Sequence, residues 1–144
     1  MLKAMTFEEY KPDIPDISDT ASGNSAASDL WIYIPSNDPL ESVRTALEGQ
    51  KKKNYTIKLD IVNVELADGE TVRMRELYRG SDLAGENGWT DEYLDECFVA
   101  VRAEYDVEYD GSKTFLTSGS IRQNFYLTKD VETGLWEIFD NSNL

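Results

Sequence analysis

The stretch DVEYDG, residues 106–111, has the residue types and the spacing of the first half of a calcium-binding loop. Such a loop supplies oxygen ligands at alternate positions, a glycine at the sixth position and a bidentate glutamate at the twelfth. Asp106, Glu108, Asp110 and Gly111 fit the first half, but the twelfth residue is Thr117, which has no carboxylate. Because the preceding residues alternate as in a strand, we interpret the acidic row as the solvated face of that strand and predict no metal site.

Other chemistry is limited by what the sequence lacks. The chain contains no histidine, which excludes Ser–His–Asp triads, Cys–His dyads and imidazole metal sites. Neither phosphate-loop consensus, GxxxxGK[ST] or GxGxxG, occurs. We therefore assign no catalytic residue and no cofactor. Acid–base chemistry by carboxylate, tyrosine or lysine stays open, because it depends on burial that shifts a pKa and that a sequence does not display.

The charge balance restricts the partners. The 144 residues include 14 Lys and Arg against 28 Asp and Glu, a net charge of −14. Such a surface repels phosphate backbones and anionic lipid, so we expect no nucleic-acid partner, whereas a basic partner or a cation would be attracted. The apolar runs LWIYI at 30–34 and CFVAV at 97–101 are too short to span a bilayer, so we expect no direct membrane insertion by this chain.

Aromatic side chains are the remaining candidates for ligand contacts. Tyr78, Trp89 and Tyr93 lie on predicted helices and Trp136 lies on the last predicted strand. Together they could line a concave apolar pocket, the usual kind of ligand site. The same spacing is more often that of ordinary core residues, and both interpretations stay open.

The chain divides into two regions. Residues 1–29 are rich in Asp, Ser, Ala and Pro without sustained periodicity, which predicts a flexible or extended N-terminal arm or linker. Residues 30–144 are predicted to form a single domain. At its start, residues 31–36 favour a short edge strand that ends at Pro35.

Three helices are predicted in the first half of the domain. Capping residues mark helix starts at Asp38–Pro39 and at Thr90, and another helix begins between them near Asp68 and ends around Gly80. A short glycine-containing link follows it. The predicted buried face of this middle helix comprises Met74, Leu77 and Tyr78.

Strands account for the rest. From Tyr55 apolar residues alternate, and their phase jumps between Ile61 and Val62, which indicates a β-bulge that bends the strand. In FVAVRAEYDVEYDG the odd positions from 99 to 109 are apolar and the even positions from 102 to 108 are charged, so one face is covered and the other is wet. Further strands are predicted at 120–128 and 135–139, joined by a turn at 129–134.

Helices on one face of a curved antiparallel sheet make an α+β domain. The segments LYRGSDLAGENGWTDEYL (77–94) and NFYLTKDVETGLWEIFDNS (124–142) resemble a family of small bacterial domains of unknown function, found in Gram-positive lipoproteins and as outer-face tails of membrane proteins. The resemblance covers roughly residues 38–142. It implies a cone-shaped fold similar to nuclear transport factor 2, in which a curved antiparallel sheet packs against about three N-terminal helices.

The resemblance also bears on activity and location. The family has no established enzymatic activity and offers no catalytic residues to carry over, and fold does not imply function. Its members usually carry a signal peptide or a lipid-anchor cysteine, neither of which this sequence shows. The resemblance implies an extracytoplasmic, membrane-tethered domain if the chain is part of a longer protein, and a cytoplasmic one if Met1 is the natural start.

Three functional hypotheses follow. We expect first a non-catalytic ligand-binding, sensing or protein-interaction module, whose partner is an unknown small apolar ligand or a protein. The alternative is a small lyase- or isomerase-type enzyme that uses a buried carboxylate with a raised pKa as general acid–base. The third is an assembly module that forms a homodimer through its sheet and buries more than about 1,000 Å².

Overall fold

The computed structural model describes residues 31–144, in which four helices and four strands occur. The predicted arm at 1–29 and its boundary with the domain lie outside the described residues. Residues Ile32–Leu144 form one compact unit. Its elements in chain order are α1 (Pro39–Lys51), β1 (Thr56–Leu66), α2 (Asp68–Tyr78), α3 (Asp82–Asn87), α4 (Asp91–Cys97), β2 (Phe98–Tyr109), β3 (Gly119–Lys129) and β4 (Trp136–Asn143).

The four strands form one curved antiparallel sheet in the order β1–β2–β3–β4. The predicted α+β class is therefore confirmed. The register of β1 against β2 shifts between Ile61 and Asn63, where the jump of apolar phase predicted a bulge. A second shift lies between Thr56 and Lys58. Because a bulge adds an unpaired residue and strengthens the local twist, these two positions bend β1.

Helix α1 begins where its capping residues predict. The Asp38 carboxylate accepts a 2.9 Å hydrogen bond from the Leu40 amide, and Pro39 occupies the first helical position. The segment before it does not form the predicted edge strand, since only Ser36 makes a bridge, to Trp136. The Ile34 amide instead donates to the Thr45 hydroxyl of α1, so helix side chains take the place of a strand partner.

Helices lie against both faces of the sheet, whereas the sequence predicted one. Even-numbered Phe98 and Ala100 of β2 form a core with Met74 of α2 and Leu94 of α4. Helix α1 contacts β1, β2 and β4. Its Gln50 amide donates a 3.2 Å hydrogen bond to the hydroxyl of Tyr109, on the odd face of β2. The reason is local: residues 98–101 are apolar on both faces, so both faces of this end must be covered.

Two further details of the helices differ from expectation. The predicted link after α2 contains helix α3, which Ser81 caps by accepting from the Ala84 amide at 3.1 Å. It ends at Gly88, whose φ of 71° is a left-handed conformation that glycine adopts without strain. Leu77, predicted on the buried face of α2, is 60% exposed. The buried stripe of that helix is Thr71, Met74 and Tyr78.

Candidate functional site

Three of the four predicted aromatic residues meet between the helices and the even face of the sheet. The ring centroid of Trp89 lies 5.8 Å from that of Tyr78 and 6.3 Å from that of Tyr93, with which it stacks. Phe139 of β4 completes the contact, 5.0 Å from Trp89. Phe98 lies edge-on to Tyr78 at 5.5 Å. We call Tyr78, Trp89, Tyr93, Phe98 and Phe139 the aromatic cluster.

The fourth residue, Trp136, lies apart from this cluster. It shares the opposite face of the sheet with Ile138, since Ile138 pairs with Leu127 and Trp136 pairs with Lys129. It is buried, and the Lys129 ammonium lies 6.0 Å from its ring centroid. Its backbone carbonyl accepts a 2.9 Å hydrogen bond from the Ser42 hydroxyl of α1. Trp136 and the other three candidates therefore do not share one site.

The geometry of the aromatic cluster is that of packing. Centroid distances of 5.0–6.3 Å are direct ring contacts, which fill the space between α2, α4 and the sheet. The hydroxyl of Tyr93 donates a 2.7 Å hydrogen bond to the Lys129 carbonyl. Burial raises the pKa of Tyr78 to about 12, so this phenol stays neutral at physiological pH. A role of these residues as ligand contacts stays a prediction.

Beside the cluster, a polar chain joins α2 to β3 and β4. The Tyr126 hydroxyl donates a 2.7 Å hydrogen bond to the Glu70 carboxylate and lies 2.8 Å from the Ser142 hydroxyl. Arg73 forms a bidentate pair with Glu70, with both nitrogen–oxygen distances at 2.8 Å. This group was not predicted from the sequence. The spacing of Glu70 and Arg73, three residues apart on a helix, was the available signal.

The electrostatics of this chain fit a structural ion pair. The side chain of Glu70 is only 12% exposed, yet its pKa lies below the usual range. The main cause is the hydrogen bond that Arg73 donates to the ionised carboxylate, and Tyr126 donates another. For the Tyr126 hydroxyl, in contrast, burial is the largest influence, and it raises the pKa. A general acid would need the opposite shift at the carboxylate.

Beyond these residues the even face of the sheet opens gradually to solvent, from buried Asn124 to exposed Ser120. Three rows of side chains cross it from β2 to β3, each joined by a hydrogen bond. Arg102 donates to Asn124 at 3.2 Å, Arg122 donates to Glu104 at 2.9 Å and Ser120 donates to Asp106 at 2.6 Å. Exposure along β2 increases from buried Ala100 to exposed Asp106 and Glu108. We call the side chains of Lys58, Asp60, Arg102, Glu104, Asp106, Glu108, Ser120 and Arg122 the open polar face.

A groove of about 280 Å³ lies at the far end of this face. The acidic row that resembled a calcium loop contributes Asp106 and Glu108 to it, and both are exposed, which confirms the solvated strand face. The carboxylate of Asp110 instead accepts from the amide and the hydroxyl of Ser112 and shapes the turn. The lining residues are Lys58, Asp60, Asp106, Val107, Glu108, Gly119 and Ser120.

Within residues 31–144 no group of three or more Asp, Glu, Cys or His side chains is arranged to hold a metal ion. In the same range, no helix is both long and apolar enough to cross a membrane. No protein-family description, curated protein or solved structure matches the chain.

Proposed function

We propose that this domain is a non-catalytic protein-interaction module that binds its partner through the open polar face. The observation that carries the proposal is the uneven cover of one sheet surface. Helices bury Phe98, Ala100 and Tyr126 at one end, while on the same face Arg102 and Glu104 are partly exposed and Asp106 and Glu108 are exposed. Both ends belong to the same strands, so the open end is part of the ordered sheet.

The side chains of the open polar face are held in place by hydrogen bonds, which favours a role in binding a partner rather than only in solubility. Its cross-strand hydrogen bonds hold Arg102, Glu104 and Asp106 in fixed positions relative to β3. Side chains that are already ordered lose less conformational entropy when a partner binds, so more of the contact energy appears as affinity. Polar and charged surfaces of this kind confer specificity and fast association more than high affinity.

The competing hypotheses have less support. A small apolar ligand would need space among the aromatic residues, and these rings are in direct contact with one another. An acid–base enzyme would need an enclosed carboxyl group with a raised pKa. Glu70 is enclosed but has a lowered pKa, while the pKa of Glu137 is raised, chiefly by partial burial, on a residue at the protein surface. Neither carboxylate combines the two requirements.

The finer identity of the fold and its location belong to the same proposal. The bent β1 and the antiparallel sheet with helices packed on it are compatible with the cone of the nuclear transport factor 2 type. A position on the outer face of a Gram-positive cell rests on the resemblance of residues 77–94 and 124–142. On such a surface, an acidic module that binds a protein would act as a receptor or tether.

Site-specific photo-crosslinking tests the interaction directly. A benzophenone amino acid would replace Arg122, whose side chain is 57% exposed on the open polar face. The matched control would carry the same amino acid at Glu48, an exposed position of α1. Both proteins would be irradiated in a lysate of the source cells, and native mass spectrometry of the unlabelled protein would show any retained small molecule.

We expect a discrete protein adduct from position 122 and none of the same mass from position 48. Equal adducts from both positions would indicate nonspecific binding and would overturn the proposal. A retained small molecule without an adduct from position 122 would move the function to ligand binding. A dimer of this chain, detected as an adduct of twice its mass, would favour the assembly hypothesis instead.

A further inference from the structure

The loop that joins β2 to β3 carries an apolar anchor at the end of the sheet where the groove lies. Phe115 is fully exposed and its neighbour Leu116 is about half exposed, in a loop of residues 110–118. Gly119, the first residue of β3 after the loop, lines the groove. A phenylalanine with no protein cover leaves a large apolar area in water, and interface hot spots are commonly aromatic side chains that fill a pocket on the partner.

Two acidic side chains at this end of the sheet, Asp106 and Glu108, form no ion pair within residues 31–144. Each cation of the open polar face already has a partner: Lys58 pairs with Asp60 at 3.5 Å, Arg122 pairs with Glu104 and Arg102 donates to Asn124.

The register places like charges opposite one another at one pair of this face and opposite charges, Lys58 and Glu108, at the next. Asp60 on β1 and Asp106 on β2 are directly paired residues, and like charges opposite one another on a sheet destabilise it. A Lys or Arg side chain that enters the groove would relieve this repulsion. The net charge of −14 adds a long-range field that attracts a basic partner.

The partner would approach the face rather than the edge of the sheet. Strand β1 is an edge, but its register shifts at residues 56–58 and 61–63 interrupt the row of backbone groups that a pairing strand needs. Lys58 and Asp60 also place charges along that edge. The groove itself is open, since a Cβ built on Gly119 would have no neighbour within 4 Å.

We propose that the β2–β3 end of the domain is a two-part docking surface for a basic protein segment. Phe115 packs against apolar side chains of the partner, and Asp106 and Glu108 receive the Lys or Arg side chains that alternate with them in the partner's sequence. This inference rests on the proposed interaction function and specifies its partner chemistry. An interface with an apolar anchor inside a charged rim has the usual anatomy of a protein–protein contact.

The test uses a defined probe, a fluorescein-labelled peptide of four Lys-Val repeats, with the Glu-Val peptide of the same length as the probe control. Fluorescence anisotropy would give Kd for the wild-type protein, and amide chemical shifts in the ¹⁵N-labelled protein would map the contact. The test variants are Phe115→Ser, Glu108→Gln and their combination. The matched variants are Val131→Ser, which is 71% exposed in the turn at the opposite end of the sheet, Glu132→Gln beside it, and their combination.

We expect the combined test variant to raise Kd for the Lys-Val peptide by about tenfold or more, the effect of losing one anchor and one charge. The combined matched variant carries the same change of charge and apolar content and should alter Kd less than about twofold. Shifted amides should fall within residues 106–120, and the Glu-Val peptide should not bind.

Several results would overturn this inference. One is an equal loss of peptide affinity in the combined matched variant, and another is amide shifts confined to other elements. Binding of the Glu-Val peptide, or no binding of the Lys-Val peptide, would overturn it as well. A wild-type dimer that Phe115→Ser converts to monomer would make a second copy the occupant. If the peptide fails while Arg122 still crosslinks a protein, only the partner chemistry is wrong; if both fail, the proposed function fails with it.

Discussion

The hydroxyl of Tyr126 on β3 donates a 2.7 Å hydrogen bond to the carboxylate of Glu70 on α2, and this contact marks the border between the covered and the open ends of the sheet. On one side of it the helices bury apolar residues, and on the other the polar rows begin with Arg102 and Asn124. The bond therefore fixes how far α2 extends over the sheet. Its loss should loosen α2 without exposing the odd face.

The first prediction concerns that bond. Tyr126→Phe removes the donor and should lower the free energy of unfolding by about 1–2 kcal/mol, because the bond is charge-assisted and the partner carboxylate is largely shielded from water. Urea denaturation of Tyr126→Phe, Glu70→Gln and the double variant would give a coupling energy. Additive losses, with no coupling beyond experimental error, would contradict a direct contribution of the bond.

A second prediction follows from the lowered pKa of Glu70. Because the folded pKa lies below the value of about 4.3 in the unfolded chain, this carboxylate stabilises the fold at pH values above 4.3. That contribution is lost as the pH falls through the folded pKa. The difference in unfolding free energy between wild type and Glu70→Gln should therefore be full at pH 7 and shrink below pH 4.

Denaturation midpoints at pH 7, 5 and 3.5 for both proteins would show whether the stability difference shrinks as the pH falls. Other carboxylates, among them Asp110 with its lowered pKa, titrate in both proteins and cancel in the difference. A gap that stays constant down to pH 3.5 would show that Glu70 contributes by packing rather than by its charge.

The two faces of β2 give a third prediction. Val101 is fully buried on the odd face, so Val101→Asp should cost about 3 kcal/mol or more through burial of an unpaired charge. Glu108, exposed on the even face, should tolerate replacement by Gln within about 0.5 kcal/mol. Guanidinium denaturation of both variants checks which face of β2 is buried. A lower midpoint for Glu108→Gln than for Val101→Asp would show that the two faces are assigned the wrong way round.

Local signals in the sequence were enough for much of the fold. The cap at Asp38–Pro39, the bulge after Ile61 and the alternation from Val101 to Glu108 each depend on a few neighbouring residues, and the structure confirms them. Helix α3 was missed because six residues with Gly85 among them show no periodicity. Ser81 and Gly88, at its two ends, were the usable signals.

The candidate site was harder to predict because it depends on residues far apart in sequence. Tyr126 meets Glu70 across 56 positions, and Asp60 meets Asp106 only through the register of β1 against β2. The same limitation applies to Trp136, which shares the aromatic character of Trp89 but lies on the other face. Aromatic character alone does not assign a side chain to one face of the sheet.

The last prediction concerns the approach of the segment before α1 to that helix. A Cβ built on Gly49 would lie 2.1 Å from the carbonyl oxygen of Ile32, a distance that forces the segment to move. Gly49→Ala should therefore lower the free energy of unfolding by about 1–3 kcal/mol, despite the higher helix propensity of alanine. Gly69→Ala, on α2 with no atom within 4 Å, is the matched control and should be neutral or stabilise by up to about 1 kcal/mol. Thermal unfolding of both variants decides the matter: if the two respond alike, the segment at residues 32–36 does not lie against α1, and the hydrogen bond between Ile34 and Thr45 should then also be dispensable.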